Sequence, residues 1–487
     1  MRKSRNLIVL VVVLGLLAGA YVYLANRPEG TEQETQNEKV TILSFDKNDI
    51  AKIELKSVNG ELTFNKVEKE VEEEKDGEKQ KVKKTMWEVD YPHEIELKQV
   101  NVDDIAYTFA NLTAERVIEE ETPEDLSPYG LDEPQAVGKA TLEDGSEKIL
   151  YLGSKTPAGN TYYLMVEGDP RVFEVWMNHG DHLLYTLADV RDKSLPEVDT
   201  QVVTYLLIDK KDGRPIEIKV NDEQSEEQAQ YGLGLWQMSK PYNEPMGVDG
   251  QAFGDLLQNL GTFSIEEFIE DDAQDLSKYG LDDPSFEFRM EDRESTLHLI
   301  FGDEYDEDKI YFKTADSDSV YGMKKSRIET LLEIKSFKLV EKFAYIVNID
   351  NVDKVEIEGK GKSFTLSLSR ETVEAENEDE EDEVITTYMA NGEEVEEKAF
   401  KKAYQSIIGI TVDAELAKEL KENPEVKTTF YLNKGPNREV HVNYVPYDND
   451  FYAVFRGGKA EFIVNRDAVY KMLDDMEALI RGDLLED

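Results

Sequence analysis

Two stretches of ten residues decide how this chain is built: DLSPYGLDEP at 125–134 and DLSKYGLDDP at 275–284. Eight of the ten positions are identical at a spacing of 150 residues, which chance does not produce. Working outward with one deletion, Leu152-Gly153 matches Phe301-Gly302, Tyr162-Tyr163 matches Ile310-Tyr311, Val172-Phe173 matches Val320-Tyr321, Leu183-Leu184 matches Leu331-Leu332, and upstream Trp87 matches Trp236. A degenerate third copy begins near Asp350, where NVDKVEI mirrors DIAKIEL of the first. It places Tyr388 near the Trp position, Pro424 at the Pro134 position, Phe451-Tyr452 at the paired aromatics and Met472-Leu473 at the final leucine pair, and it lacks the YGLD element. Repeats of roughly 145 residues are far longer than solenoid units, so each copy is expected to be a domain with its own core.

Inside one copy the hydrophobic period switches in a fixed order. Residues 50–58 and 62–67 alternate as a hairpin, Trp87 and Val89 lie on a third strand, and residues 102–112 carry Ile105, Phe109 and Leu112 on one helical face. Strands follow at 136–142, 148–152, 162–166 and 171–176, separated by Asp-Gly, Thr-Pro-Ala-Gly and Gly-Asp-Pro turns, and short helices at 183–187 and 328–334 close the copies. The expected class is α+β: tandem repeated domains with antiparallel sheets and short helices, plus one N-terminal transmembrane helix.

That helix is read from residues 7–25, LIVLVVVLGLLAGAYVYLA, which contain no charge and include Leu7, Val11, Leu14, Leu17, Tyr21 and Leu24. Nineteen residues approach the length of a hydrocarbon-core crossing. Arg2, Lys3 and Arg5 precede the segment, so the positive-inside rule keeps the N-terminus cytoplasmic and sends the rest across. A cleaved signal peptide is the competing reading, favoured by the small residues Ala18-Gly19-Ala20 and opposed by an apolar run longer than a typical h-region. The boundaries that follow are a stub and anchor at 1–26, a polar tether at 27–39, repeat domains at 40–198 and 199–342, and a degenerate repeat domain at 343–487.

Composition removes whole classes of function. The 487 residues carry 56 Lys+Arg against 105 Asp+Glu, a net charge of −49, which excludes a general nucleic-acid binder. There is no cysteine, hence no disulfide, cysteine nucleophile or thiolate metal site. P-loop, GxSxG, HExxH and Rossmann glycine patterns are all missing. Charge runs at 68–84, 222–230 and 371–383 fall between the second and third strands of each copy and read as solvated hairpin tips.

Three features invite chemistry. In DLSxYGLDxP, Thr122 (Asp272 in the second copy) reads as a helix N-cap, Pro123 as the first helical residue, Gly130 as a left-handed stop, Leu131 as a contact back onto Leu126, and Pro134 as the start of the next strand. The repeat-motif residues Tyr129, Gly130, Leu131, Asp132 and Pro134, with Tyr279, Gly280, Leu281, Asp282 and Pro284, are therefore assigned to architecture. His179 and His182, three apart, have the spacing of metal ligands on one helical face, but no third ligand accompanies them, and a turn at a helix start is the preferred reading. Tyr162-Tyr163, Phe451-Tyr452, Phe173 and Trp176 form either a binding platform or, more commonly for sheet aromatics, core.

Taken together, Tyr129-Gly130-Leu131-Asp132 with Pro134, the strand ending in Leu152-Gly153, the turn Thr156-Pro157-Ala158-Gly159 and the pair Tyr162-Tyr163 behind a single apolar segment resemble the uncharacterised bacterial family called domain of unknown function 4340. The second copy keeps Tyr279 to Asp282, Pro284 and Gly302 and has residues 303–309 in place of the T-P-x-G turn. The resemblance implies an extracytoplasmic accessory role beside ABC transporter permease or auxiliary subunits, and it brings no catalytic residues. The expectations are a non-enzymatic, membrane-anchored accessory or scaffold without cofactor or metal, with the lipid bilayer as partner through its N-terminal helix. A cell-envelope polymer-binding or hydrolytic protein is the alternative.

Overall fold

The computed structural model describes residues 39–75, 78–220, 234–373, 383–435 and 437–483. The anchor residues Leu7, Val11, Leu14, Leu17, Tyr21 and Leu24 lie outside the described residues, as do residues 222–230 and most of the run at 371–383. Among the described residues no helix is long and apolar enough to cross a membrane.

The first sheet contains β1 (Val40–Thr41), β2 (Ile50–Ser57), β3 (Gly60–Lys75), β4 (Glu78–Val89), β5 (Thr113–Glu119), β6 (Ala136–Leu142), β7 (Glu147–Lys155), β8 (Thr161–Val166) and β9 (Val172–Trp176), in the order β1-β5-β9-β8-β7-β6-β2-β3-β4. The meander β2-β3-β4 leads into helix α1 (Gln99–Ala110); β5 then returns to the far edge, and β6 joins the meander beside β2. Helices α2 (Met177–Leu183) and α3 (Leu187–Val190) close the unit. Every pairing is antiparallel, and strict alternation sends Ile53, Leu55, Phe64, Leu150, Leu152, Leu164, Phe173 and Val175 to one face, where Val102, Ile105 and Phe109 of α1 cover them. The opposite face carries charge ladders such as Lys52–Glu54 at 3.1 Å and Lys139–Glu54 at 2.8 Å.

A second sheet repeats this path with β10 (Tyr205–Lys210), β11 (Ile216–Val220), β12 (Trp236–Lys240), β13 (Met246–Gly247), helix α4 (Gly250–Asn259), β14 (Glu267–Glu270), β15 (Phe286–Glu291), β16 (Thr296–Tyr305), β17 (Lys309–Thr314) and β18 (Val320–Lys324), closed by α5 (Glu329–Glu333) and α6 (Ser336–Leu339). The third has β19 (Val352–Gly359), β20 (Lys362–Val373), β21 (Glu383–Ala390), β22 (Glu393–Glu394), helix α7 (Glu397–Ile408), β23 (Val412–Glu415), β24 (Val426–Leu432), β25 (Glu439–Pro446), β26 (Phe451–Arg456), β27 (Lys459–Asn465) and the longer helix α8 (Arg466–Arg481). Their orders, β13-β12-β11-β10-β15-β16-β17-β18-β14 and β22-β21-β20-β19-β24-β25-β26-β27-β23, are one topology.

Two findings depart from the sequence reading. The chain divides into two compact units, up to Asp192 and from Lys193, and in the second unit one continuous buried cluster runs from Leu195 to Leu479 through both sheets. The expectation of one core per copy therefore holds for the first copy only. One link in the second unit is Tyr242, whose ring lies 4.8 Å from that of Phe462 and whose hydroxyl donates to Glu415 at 2.9 Å, while Glu461 accepts from the Asn243 amide at 2.8 Å. The other departure concerns the charged run read as a solvated hairpin tip: strand pairing of β3 with β4 continues through residues 68–75 and 78–84, with Lys69 bridging to Glu88 at 2.6 Å and to Glu94 at 2.7 Å. Its hydrogen bonds to these glutamates hold the Lys69 ammonium up at about 12.

Candidate functional site

The repeated ten-residue element sits on the charged, outer face of each of the first two sheets. Its helix is a single 3-10 turn, Ser127–Tyr129 in the first copy and Leu276–Tyr279 in the second. The expected N-cap, Thr122, does not cap it; its hydroxyl donates to the Pro170 carbonyl at 2.9 Å, and Asp272 sits at φ +51 outside the turn. Capping falls three residues later, on Asp125 and Asp275, whose carboxylates accept from the Ser127 and Ser277 amides at 3.0 and 3.1 Å. Hydrogen bonds from those serines hold both aspartates below the ordinary carboxylate value. Gly130 and Gly280 end the turns at φ +63 and +68, and the amides of Leu131 and Leu281 return to the carbonyls of Leu126 and Leu276 at 3.2 and 3.1 Å.

The turn is held down by a close approach. A Cβ built on Gly153 would overlap the Tyr129 carbonyl oxygen, and one built on Gly302 would overlap that of Tyr279, so only glycine lets the element lie flat on the strand. Beside it the Tyr129 hydroxyl donates to Glu119 at 2.5 Å and its ring meets Tyr163 edge-on at 5.1 Å. The second copy rebuilds the group with Tyr279 donating to Glu270 and meeting Tyr311 edge-on at 4.9 Å. Both tyrosines are held above their ordinary value, Tyr129 by its hydrogen bond to Glu119 and Tyr279 by burial and then Glu270. Glu119 and Glu270 each follow a β-bulge, in β5 and β14, that turns the carboxylate toward the tyrosine. Sequence reasoning missed both glutamates; aligning the copies with a one-residue shift would have found them.

His179 and His182 lie within α2, not at a turn before it, and both ring Nδ1 atoms face one buried hydroxyl, Thr108 Oγ1, at 3.4 and 3.0 Å. Burial holds both imidazoles below their ordinary value. Between them Gly180 accommodates the Tyr162 ring, and Asp181 accepts the Tyr162 hydroxyl at 2.8 Å. The whole H-G-D-H stretch is thereby engaged in packing α2 against α1 and β8. Among the described residues no group of three or more His, Asp or Glu is placed to hold a metal ion.

The aromatics do not form one platform. Tyr162, Phe173 and Tyr452 are core, Tyr163 and Phe451 are half-buried, and Trp176 is 43% exposed. Strand register also corrects the third copy by one residue: Tyr452 faces Val464 as Tyr162 faces Val175 and Ile310 faces Met323, so Tyr452 matches Tyr162 and Ala453 takes the outer place of Tyr163 and Tyr311.

No curated protein and no solved structure matches the chain. The family described as Domain of unknown function (DUF4340) matches it twice, over residues 87–233 and 236–432. These spans take in both YGLDxP elements, their glycine seats and their tyrosine pairs, and they cover well over half the sequence. The chain belongs to this family, in tandem copies.

Proposed function

We propose that the protein is a membrane-anchored extracytoplasmic accessory or scaffold that acts by binding, as an auxiliary component of an ABC transport system. The observation that carries this reading is the pairing of one uncharged segment at residues 7–25, basic on its N-terminal side, with three sheets that share the order of eight strands and differ in one edge strand. A repeated rigid sheet displays outer-face side chains at fixed spacing, and the capped turns of the first two copies serve to hold that face. In this reading the N-terminus is cytoplasmic and the sheets lie on the opposite side of the membrane. Exposed Trp176 favours a second reading, attachment to a cell-envelope polymer, because a solvent-facing indole stacks on sugar rings.

The test is mild-detergent purification of the full-length protein from its native membrane through a C-terminal tag, followed by mass spectrometry, with a control whose span is exchanged for an unrelated one. Recovery of permease and ATPase subunits with the native span alone is the expected result. Recovery of the protein without membrane partners, together with retention on wall polymer that Trp176→Ala abolishes, would replace the transporter reading with the second.

A further inference from the structure

The second unit holds a cleft of about 470 Å³ at the end of β25 and β26 in the third sheet, lined by Tyr345 and Val440 from the inner core and by Phe455 from the outer cluster. It is composite. Tyr345 and Phe455, both buried, form its floor; Glu422 and Glu439 stand on its rim; Glu244, from the loop that carries Tyr242, closes it from the second sheet. Gly457, at φ +54, is where Glu244 comes down: a Cβ there would overlap the Glu244 carboxylate. Because Tyr242 and Asn243 lock this loop to Glu415 and Glu461, Glu244 is positioned by the joint between the two sheets.

The cleft is lined by three carboxylates, Glu244, Glu422 and Glu439, against one guanidinium, Arg456, and Glu439 has His441 Nε2 at 3.4 Å. Outer-face glutamates such as Glu54, Glu267 and Glu356 are paired with lysine. Glu422 instead accepts from Asn443 Nδ2 at 2.6 Å, and among the described residues neither it nor Glu244 forms an ion pair. Arg456 donates to the Pro245 carbonyl at 2.8 Å, and its guanidinium lies 5.8 Å from the centre of the Tyr345 ring. A ring-lined floor beneath carboxylates suits a side chain with an apolar stem and a cationic head. A half-open cleft of this volume fits such a side chain reaching in from a larger body.

We propose that this cleft receives a lysine or arginine side chain presented by a basic segment of a protein partner. The proposal rests on the reading that the protein acts by binding, and it names the chemistry of what is bound. Net charge −49 steers a basic partner to the molecule, and the ringed cleft fixes where it docks.

The experiment is titration of the full-length protein with acetylated hexalysine amide at fixed ionic strength, by calorimetry. It compares Glu422→Gln/Glu439→Gln with Glu393→Gln/Glu394→Gln, which removes the same charge from edge strand β22, separated from β25 by four strands in the same sheet order. The expected result is a loss of about tenfold in affinity for the cleft pair and no change for the control, with both variants melting like the parent. Equal losses in the two variants would overturn the proposal in favour of diffuse attraction. Spermidine with the same dependence on the cleft pair would overturn the partner assignment in favour of a free polyamine. Recovery of membrane partners by a protein that fails this titration would sink the cleft and leave the accessory reading standing.

Discussion

In the first two sheets the outer face beside the central ladder is covered by backbone, and in the third it is covered by side chains. Leu152 pairs with Ala136, Phe301 with Phe286 and Tyr444 with Val426, so Gly153, Gly302 and Val445 occupy one position in the three copies. Where that position is glycine, the YGLD turn lies on it; where it is valine, the turn is gone and Leu416 and Leu420 pack over Val445, Ala453 and Phe455. The outer tyrosine is lost with it, since Ala453 stands where Tyr163 and Tyr311 reach for the turn. Turn, glycine seat and tyrosine pair thus behave as one device. Where it is lost, side chains take over the outer face, and the third sheet is the one that carries the acidic cleft.

If that device is a unit, putting the third copy's residue into the first should break it. Gly153→Val drives a branched side chain into the Tyr129 carbonyl and the Leu131 side chain, and we expect a loss of about 3 kcal/mol, the upper end for overpacking. Urea unfolding with hydrogen exchange read on peptides from β7 and the 125–134 turn checks it; a loss below about 1 kcal/mol would show that the turn lifts off at little cost. The reciprocal change, Val445→Gly, removes a buried side chain from a small cluster without admitting any turn. It should cost about 2 kcal/mol by loss of packing, and stabilisation would mean that the third copy is strained where we describe it as repacked.

Most of this device could be read in the chain, and the parts that could not share a cause. The ten-residue identity, the glycine stop and the Leu-Gly strand are local, and local backbone demands leave residue signatures: φ +63 at Gly130 and the overlap at Gly153 each require glycine. Helix α1 was legible from the face formed by Ile105 and Phe109. Strand β5 was not, because TAERVIE alternates poorly and its register is set by two bulges against β9. The charged arm at 68–84 misled because composition reports exposure, whereas pairing is decided by cross-strand partners such as Lys69 and Glu88. The slip at Tyr452 arose from aligning letters where burial sets the register. The cleft draws Glu244, Tyr345, Glu422 and Phe455 from segments distant in sequence, and no spacing rule could join them.

A second contrast lies on the inner face, where α2 brings two histidines against Thr108 and the matching helix α8 has none. Both imidazoles titrate below their ordinary value of about 6.5 because burial disfavours the charged form. The unfolded chain therefore binds protons first. The first unit keeps this contribution above about pH 6.5 and loses it as pH falls toward the depressed folded values, with Asp104 and Asp181 beside His182 and Glu115 near His179 limiting the loss. We expect exchange in α1 to rise severalfold between pH 7 and 5, after correction for intrinsic rates, while α7 changes less. Parallel behaviour of α1 and α7 would assign acid sensitivity to the carboxylates at large.

The smallest effect separates the parts of the device. Tyr129→Phe removes the hydrogen bond to Glu119 and keeps the ring against Tyr163. Because Tyr129 is only half-buried, water replaces the lost partner, and the expected cost is about 0.5 kcal/mol. Tyr279→Phe should cost more, about 1 kcal/mol, since Tyr279 is 4% exposed and its loss leaves the Glu270 carboxylate to Lys278. The order of the two losses matters more than their size. If the half-buried Tyr129 proves the costlier, the hydroxyl rather than the glycine seat holds the turn, and the absence of the element from the third sheet would follow from Ala453 instead of Val445.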